Sequence, residues 1–165
     1  MTLDQFPKSI QSLLAAFRLD LKVNLQRQPA AVAILLATIV SLVGSLLADY
    51  LLVKLGIKVF PSTVGYSHFQ FSDYSKLTVI GVLIACVAWP VATRLTSTPR
   101  EFFFRAAILI TIVLIAPDLY IWHGGSPFKA VFVLIWLHVA IAIVTYNALV
   151  RLAPVPHGRH ARHDG

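Results

Sequence analysis

The segment that decides the fold is "RAAILITIVLIAPDLYIW" (105–122). Almost every residue before Pro117 is apolar, as in the interior of a lipid bilayer. Asp118 follows, before the aromatic residues Tyr120 and Trp122, which are typical of the membrane–water interface. Because an ionisable residue in a membrane helix normally faces protein rather than lipid, the segment predicts a spanning helix that packs against other helices through Asp118.

The composition predicts that most of the chain lies in a membrane. It has 165 residues, of which 58% are hydrophobic and 13% charged, with a mean hydropathy of +0.77. A soluble domain is about half apolar and about a quarter charged. Four apolar segments, 31–52, 77–95, 104–122 and 129–150, are each close to the ~20 residues that cross a bilayer. We expect an all-α, polytopic membrane protein, with a four-helix transmembrane bundle at 30–151.

The basic residues predict the orientation of this bundle. The end that carries both termini holds ten Lys and Arg residues: Lys8, Arg18, Lys22, Arg27, Arg94, Arg100, Arg105, Arg151, Arg159 and Arg162. The other end holds four: Lys54, Lys58, Lys76 and Lys129. The positive-inside rule then places both termini in the cytoplasm. Because these residues flank apolar runs, the net charge of +7 favours the lipid bilayer as the partner, and not nucleic acid.

The segments outside the bundle have three different characters. In the leader, 1–29, apolar residues recur at helical spacing: Ile10, Leu13, Leu14, Phe17 and Leu21. This pattern predicts an amphipathic helix in the cytoplasmic interface; a helix that binds a partner or folds back on the bundle is the alternative. The external loop, 58–76, is aromatic, and its alternation at 68–71 allows a short strand. The tail, 152–165, is rich in His and Arg, and we expect it to be disordered.

Small and polar residues predict which helix faces point inward, since small residues let membrane helices approach closely. In the first segment they recur every four residues: Ala33, Ala37, Ser41, Ser45 and Asp49. In the second and third they are Gly81, Ala85, Ala88 and Ala92, and Ala107, Thr111 and Asp118. In the fourth they are His138, Ala142 and Thr145. Pro90 and Pro117 are helix-breaking residues that each remove one backbone hydrogen bond.

Three ionisable residues inside the apolar segments form the candidate polar site: Asp49, Asp118 and His138. At 1.5 Å per residue, His138 lies about 13 Å from Lys129, and Asp118 about 6 Å below Trp122. The two residues then differ in depth by several ångström, which permits a direct contact or a bridge through one water molecule. Three interpretations stay open: a structural contact, a proton-exchanging pair of a small carrier, and a site for a lipid, a quinone or a partner subunit.

The sequence offers no pattern of an enzyme. Its one cysteine, Cys86, leaves no disulfide pair, and the apolar segments contain no metal-binding spacing of Cys and His. A nucleophile triad, a phosphate-binding loop and an HExxH motif are also missing. We therefore expect a protein that is not an enzyme and that has neither a cofactor nor a metal.

The frame "FSDYSKLTVIGVLIACVAWPVATR", "PREFFFRAAILITIVLIAPDLYIW" and "VFVLIWLHVAIAIVTY" resembles a family of small four-helix integral membrane proteins from actinobacteria, catalogued only as a domain of unknown function. The resemblance covers about 30–150 and depends on Gly81, Trp89, Pro117, Asp118 and His138. It implies four helices and a bacterial cell membrane, and supplies no activity.

These observations favour a non-enzymatic accessory or interaction component of the cell membrane. The partner would be another membrane protein or a second copy of the chain. The alternative is a small proton-coupled carrier that uses Asp118 and His138.

Overall fold

Four long helices make up nearly all of the computed structural model, which describes residues 7–8 and 28–155. They are α1 (Ala31–Val59), α2 (Phe71–Leu95), α3 (Pro99–His123) and α4 (Phe128–Leu152). Each is long and apolar enough to cross a membrane. Within residues 28–155 there is no β-strand. The predicted fold class, an all-α four-helix transmembrane bundle, is confirmed.

The connections begin and end at residues that suit helix ends. Pro99 occupies the first turn of α3, where its missing N–H costs no helical hydrogen bond. Gly125, at the end of α3, has a φ of +100°, a left-handed conformation that glycine adopts without steric cost. The Ser126 N–H then donates to the Ile121 carbonyl at 3.1 Å. This tight turn brings α4 back antiparallel to α3.

Hydrogen bonds at both ends show the up-and-down arrangement of the helices. At the end with the termini, Arg94 Nη2 donates to Gln28 Oε1 at 2.8 Å. At the opposite end, Tyr66 Oη donates to Ser126 Oγ at 3.1 Å, which joins the α1–α2 connection to the α3–α4 turn. The largest packing interface is between α1 and α4, while α3 packs mainly on α4.

Close approach of α1 and α4 depends on glycines in α1. A Cβ atom added at Gly56 would lie 2.7 Å from Cγ2 of Val133, and one at Gly44 would lie 2.9 Å from Cγ1 of Val144. These distances are shorter than van der Waals contact. The two helices can therefore pack at this separation only while both α1 positions lack a side chain.

The inward strip predicted for α1 is confirmed. Ala37, Ser41, Ser45 and Asp49 are all 0% exposed, whereas many large apolar residues on the opposite face of α1 are about half exposed or more, among them Leu35, Val43 and Leu47. Ala33 at the start of the strip is partly buried against the core. In contrast, only Phe103 and Asp118 are buried on α3.

The helices extend beyond the apolar segments from which they were predicted. α1 runs to Val59 instead of 52, and α2 begins at Phe71 instead of 77. Polar residues such as Lys54 and Asp73 continue the helices because a helix needs backbone hydrogen bonds, not apolar side chains, outside the apolar core. The connection predicted at 58–76 is thus shorter, with 3₁₀ turns at Pro61–Thr63 and Ser67–Phe69.

The short strand considered at 68–71 is wrong. Ser67–Phe69 forms a 3₁₀ turn and α2 begins directly after Gln70. Phe69 is buried beneath this turn, with its ring centroid 5.3 Å from that of Tyr66. The aromatic residues therefore alternate because they pack on one another in a turn, and not because they pair with a second strand.

The small face predicted for α2 is right only in part. Ala92 is buried and Ala85 is partly buried, whereas Gly81 and Ala88 are exposed. Apart from Ala92, the buried face has larger residues: Tyr74, Thr78, Val82, Cys86, Trp89 and Thr93. Since α1 already contributes small side chains, bulky groups from α2 are needed to fill the space between them.

Pro90 and Pro117 lie inside α2 and α3, and neither proline ends its helix. The predicted helix breaks are therefore absent, because the flanking turns keep their hydrogen bonds when a single N–H is missing. The amphipathic leader residues, from Ile10 to Leu21, and the tail after 155 lie outside the described residues, so their predictions stay open.

Candidate functional site

The Asp118–His138 contact lies between α3 and α4. His138 Nδ1 is 3.1 Å from Asp118 Oδ2, and the two side chains are 22% and 8% exposed. The antiparallel packing of the two helices brings these side chains into contact. The contact forms although the sequence placed the two residues several ångström apart in depth.

The hydrogen-bond geometry shows which ring nitrogen of His138 carries a hydrogen. Nδ1 also lies 3.1 Å from the Leu134 carbonyl oxygen, one turn back along α4. Because a carbonyl oxygen only accepts, a hydrogen bond here requires a hydrogen on Nδ1. Oδ2 of Asp118 lies close to the same nitrogen but is not aligned for a hydrogen bond. The contact is therefore mainly electrostatic, and Nε2 is the nitrogen that gains or loses the exchangeable proton.

Asp49 joins this pair from α1. It is completely buried, and Thr78 of α2 donates a hydrogen bond from Oγ1 to Asp49 Oδ2 at 2.6 Å. Asp49 also interacts electrostatically with His138. Its second oxygen, Oδ1, accepts no hydrogen bond from the described residues. Asp49 is thus held at one oxygen only, within reach of the His138 charge.

Each of the four helices therefore contributes one polar side chain to a single group, which we call the polar cluster: Asp49, Thr78, Asp118 and His138. A further contact, 3.4 Å between Ser45 Oγ and Thr145 Oγ1, lies one turn away between α1 and α4. Interhelical polar contacts of this kind fix the register of membrane helices.

Sequence reasoning missed Thr78 and Tyr74. Thr78 is 3% exposed and Tyr74 is 7% exposed, and Tyr74 interacts electrostatically with Asp49 and Tyr50. Their four-residue spacing on α2 is the signal that could have found them. The small residues of α2 obscure this signal, because they point to a different inner face of the helix.

Neither helix proline belongs to the polar cluster. Pro117 is exposed, although it is next to Asp118. Pro90 lies about 18 Å further along α2 than Thr78, at 1.5 Å per residue, and its carbonyl accepts a hydrogen bond from Thr93 Oγ1 at 2.8 Å. The contact that accommodates Asp118 is the one with His138.

The polar cluster has the chemistry of proton exchange, since it combines two carboxyl groups with an imidazole. Among residues 28–155, His, Cys, Asp and Glu side chains form no group of three suited to hold a metal ion. Cys86, the thiol of the described bundle, is buried and is not part of the cluster.

These features define a multi-pass membrane protein, a four-helix bundle with an ionisable cluster between its helices. The chain belongs to a family of unknown function (DUF6069), whose model matches residues 22–154. The match covers the whole bundle and so agrees with the resemblance seen in the sequence. Neither a curated protein nor a solved structure matches the chain.

Proposed function

We propose that the protein is a non-enzymatic accessory or interaction component of a bacterial cell membrane, with both termini in the cytoplasm. The exposed surface of α3 is the observation that carries this proposal. In its most apolar stretch only 11% of the residues are buried, compared with 17–33% in the other three helices. Such a helix leaves a long apolar face for another membrane protein.

The burial of the polar cluster supports the same function. Asp49 and Asp118 are 0% and 6% exposed, and their contacts are with other helices of the bundle. Interhelical polar contacts in membranes contribute about 0.6 kcal/mol on average. In this proposal the cluster attaches α3 to the rest of the bundle. The outer face of α3 is then free to bind a partner.

The distribution of charge supports the orientation. The exposed residues Arg94, Arg100 and Arg151 lie at the helix ends that carry the termini, whereas Lys54 and Lys129 lie at the opposite end. Arginine and lysine accumulate in cytoplasmic loops. In this proposal the termini are therefore cytoplasmic, and the polar cluster belongs to the outer half of the membrane.

A photo-crosslinking amino acid at Ile112 tests the proposed function. Ile112 lies in the middle of α3 and is 60% exposed; Val43 of α1 is a matched control that is 62% exposed. Both lie about 18–20 Å from the termini end of their helices, at 1.5 Å per residue. We expect crosslinking in cells to give a discrete protein product at Ile112 and only lipid adducts at Val43.

The identity of the crosslinked product decides between the partners. Mass spectrometry of the crosslinked product, followed by a reciprocal purification through the identified partner, would distinguish another membrane protein from a second copy of the chain. Equal crosslinking at the two positions, or lipid adducts alone at both, would contradict an interaction through α3.

A small proton-coupled carrier is the second candidate. The contact between Asp118 and His138 favours it, because a carboxyl group and an imidazole 3.1 Å apart have the chemistry of proton exchange. Proteoliposomes with a pH-sensitive dye inside test this function. A carrier would dissipate an imposed pH gradient when its substrate is present, and Asp118→Asn would abolish the flux. An accessory protein would give the same low flux in both forms.

A further inference from the structure

We propose that Asp49, Asp118 and His138 form a proton-binding site within the membrane, which holds two exchangeable protons at neutral pH. One is on the His138 imidazole and the other is on the Asp49 carboxyl group. The inference goes beyond the accessory role and does not depend on it. It assigns a ligand, the proton, to a cluster that a purely structural role would leave permanently charged.

Charge balance carries the first step. With a neutral imidazole and both carboxyl groups ionised, the cluster would bury two negative charges in a membrane helix bundle. Uncompensated buried charges are strongly unfavourable in the interior of a membrane protein. Neither Asp49 nor Asp118 forms an ion pair with a Lys or Arg among the described residues. Two bound protons bring the net charge of the cluster to zero.

The other ionisable groups near the cluster do not change its net charge. Tyr50 of α1 and Tyr74 of α2 interact with the Asp49 side of the cluster, and tyrosine is neutral at neutral pH. Lys54 lies with its Nζ 5.6 Å from the Tyr50 ring centroid and is exposed at the helix surface. The carboxyl groups must therefore be balanced within the cluster.

The contacts decide which carboxyl group carries the proton. Asp118 Oδ2 lies 3.1 Å from the Nδ1 atom of His138, so an imidazolium ion there stabilises an ionised Asp118. Asp49 is 0% exposed and accepts one hydrogen bond, from Thr78 to Oδ2. Its Oδ1 atom has no hydrogen-bond donor among the described residues. Each carboxyl group has one buried oxygen without a hydrogen-bond donor among the described residues, but Asp118 also has the Nδ1 atom of His138 at 3.1 Å. An opposite charge so close favours the ionised form of a carboxyl group, so the second proton belongs on Asp49.

His138 takes up its proton at Nε2 in this proposal, because Nδ1 is occupied by its contacts with Leu134 and Asp118. The balance is simple: each proton gained from water raises the charge of the cluster by one.

Infrared spectroscopy of the full chain in lipid nanodiscs at neutral pH tests the proposal. A protonated carboxyl group has a C=O stretching band distinct from the carboxylate bands, and this band shifts in D₂O. We expect one such band in the parent protein. It should disappear in Asp49→Asn and persist in Asp118→Asn. It should double in intensity in His138→Gln, because both carboxyl groups must then bind a proton.

Asp73→Asn is the matched control. Asp73 is an exposed aspartate on α2, with a side chain 46% exposed and 3.6 Å from His68, so its loss should leave the band unchanged. Absence of the band from the parent protein would overturn the proposal, and this result needs no variant that might fail to fold. Loss of the band in Asp118→Asn but not in Asp49→Asn would overturn the assignment of the proton to Asp49. A negative crosslinking result at Ile112 would leave these spectra unaffected, so the two proposals fail separately.

Discussion

His138 Nδ1 lies 3.1 Å from Asp118 Oδ2, across the interface of α4 and α3. This contact answers why an aspartate can occupy an otherwise apolar membrane helix. Asp118 faces an imidazole that can carry a positive charge. It is also one of only two buried residues on α3. The contact therefore has a structural consequence beyond electrostatics, because α3 has few other buried side chains with which to stay attached.

The close packing of α1 and α4 predicts different effects at two glycines. Gly56→Leu forces a side chain against Val133, which a new Cβ atom would already approach to 2.7 Å. Overpacking of this kind costs about 1–3 kcal/mol. Gly81→Leu is the control, since nothing lies within 4 Å of a Cβ atom there. Thermal unfolding in detergent should show a loss for Gly56→Leu and little change for Gly81→Leu.

A second substitution can show that Val133 is responsible. If the clash is with Val133, Gly56→Ala combined with Val133→Ala should recover part of the stability lost in Gly56→Ala alone. Equal destabilisation by Gly56→Leu and Gly81→Leu would contradict the packing of α4 on this face of α1.

Trp89 joins α2 to the end of α4, at the end of the bundle that carries the termini. Its Nε1–H donates to the Ala153 carbonyl at 2.9 Å, and both residues are 0% exposed. Trp89→Phe would leave that carbonyl without its partner, which costs about 1–3 kcal/mol for a buried group. Trp136→Phe, at a site 49% exposed, should change the free energy of unfolding by less than about 0.5 kcal/mol. Chemical unfolding of both variants measures the difference, and similar losses would argue against a buried hydrogen bond at Trp89.

The proposed orientation predicts which introduced cysteines are accessible from outside the cell. Ser67 and Ser97 are exposed at opposite ends of the bundle. The native Cys86 is 5% exposed and should contribute little background. With cytoplasmic termini, an impermeant thiol reagent on intact cells should label Ser67→Cys and not Ser97→Cys. The opposite labelling would place the polar cluster in the cytoplasmic half of the membrane.

The inner face of α1 could be predicted from the sequence because its signal has a single explanation. Small and polar residues at every fourth position of a membrane helix have little reason to face lipid, so Ser41, Ser45 and Asp49 had to face protein. The same rule held only in part for α2, since alanine and glycine are also tolerated on a lipid-facing surface. Gly81 and Ala88 lie there.

The polar cluster was predictable in part for an energetic reason. Asp118 and His138 are costly in lipid and lie within several ångström of each other in depth, so the sequence made a contact between them possible. Thr78 gave no such signal, because a threonine can satisfy its hydroxyl within its own helix, as Thr38 and Thr111 do through the Ile34 and Ala107 carbonyls. Only the packing of α2 against α1 shows that the Thr78 hydroxyl is used by Asp49.

A double-mutant cycle tests most directly the central claim, that Asp118 and His138 couple α3 to α4. Unfolding free energies in detergent are measured for the parent, Asp118→Asn, His138→Leu and the double variant. A control cycle replaces Asp118→Asn with Asp73→Asn, whose partner is His68. We predict a coupling energy of about 0.6 kcal/mol, and no more than about 1.7 kcal/mol, for the first cycle. The control cycle should be additive. Strict additivity in both cycles would show that the two residues do not interact, and would contradict the claim that His138 accommodates Asp118 in the membrane.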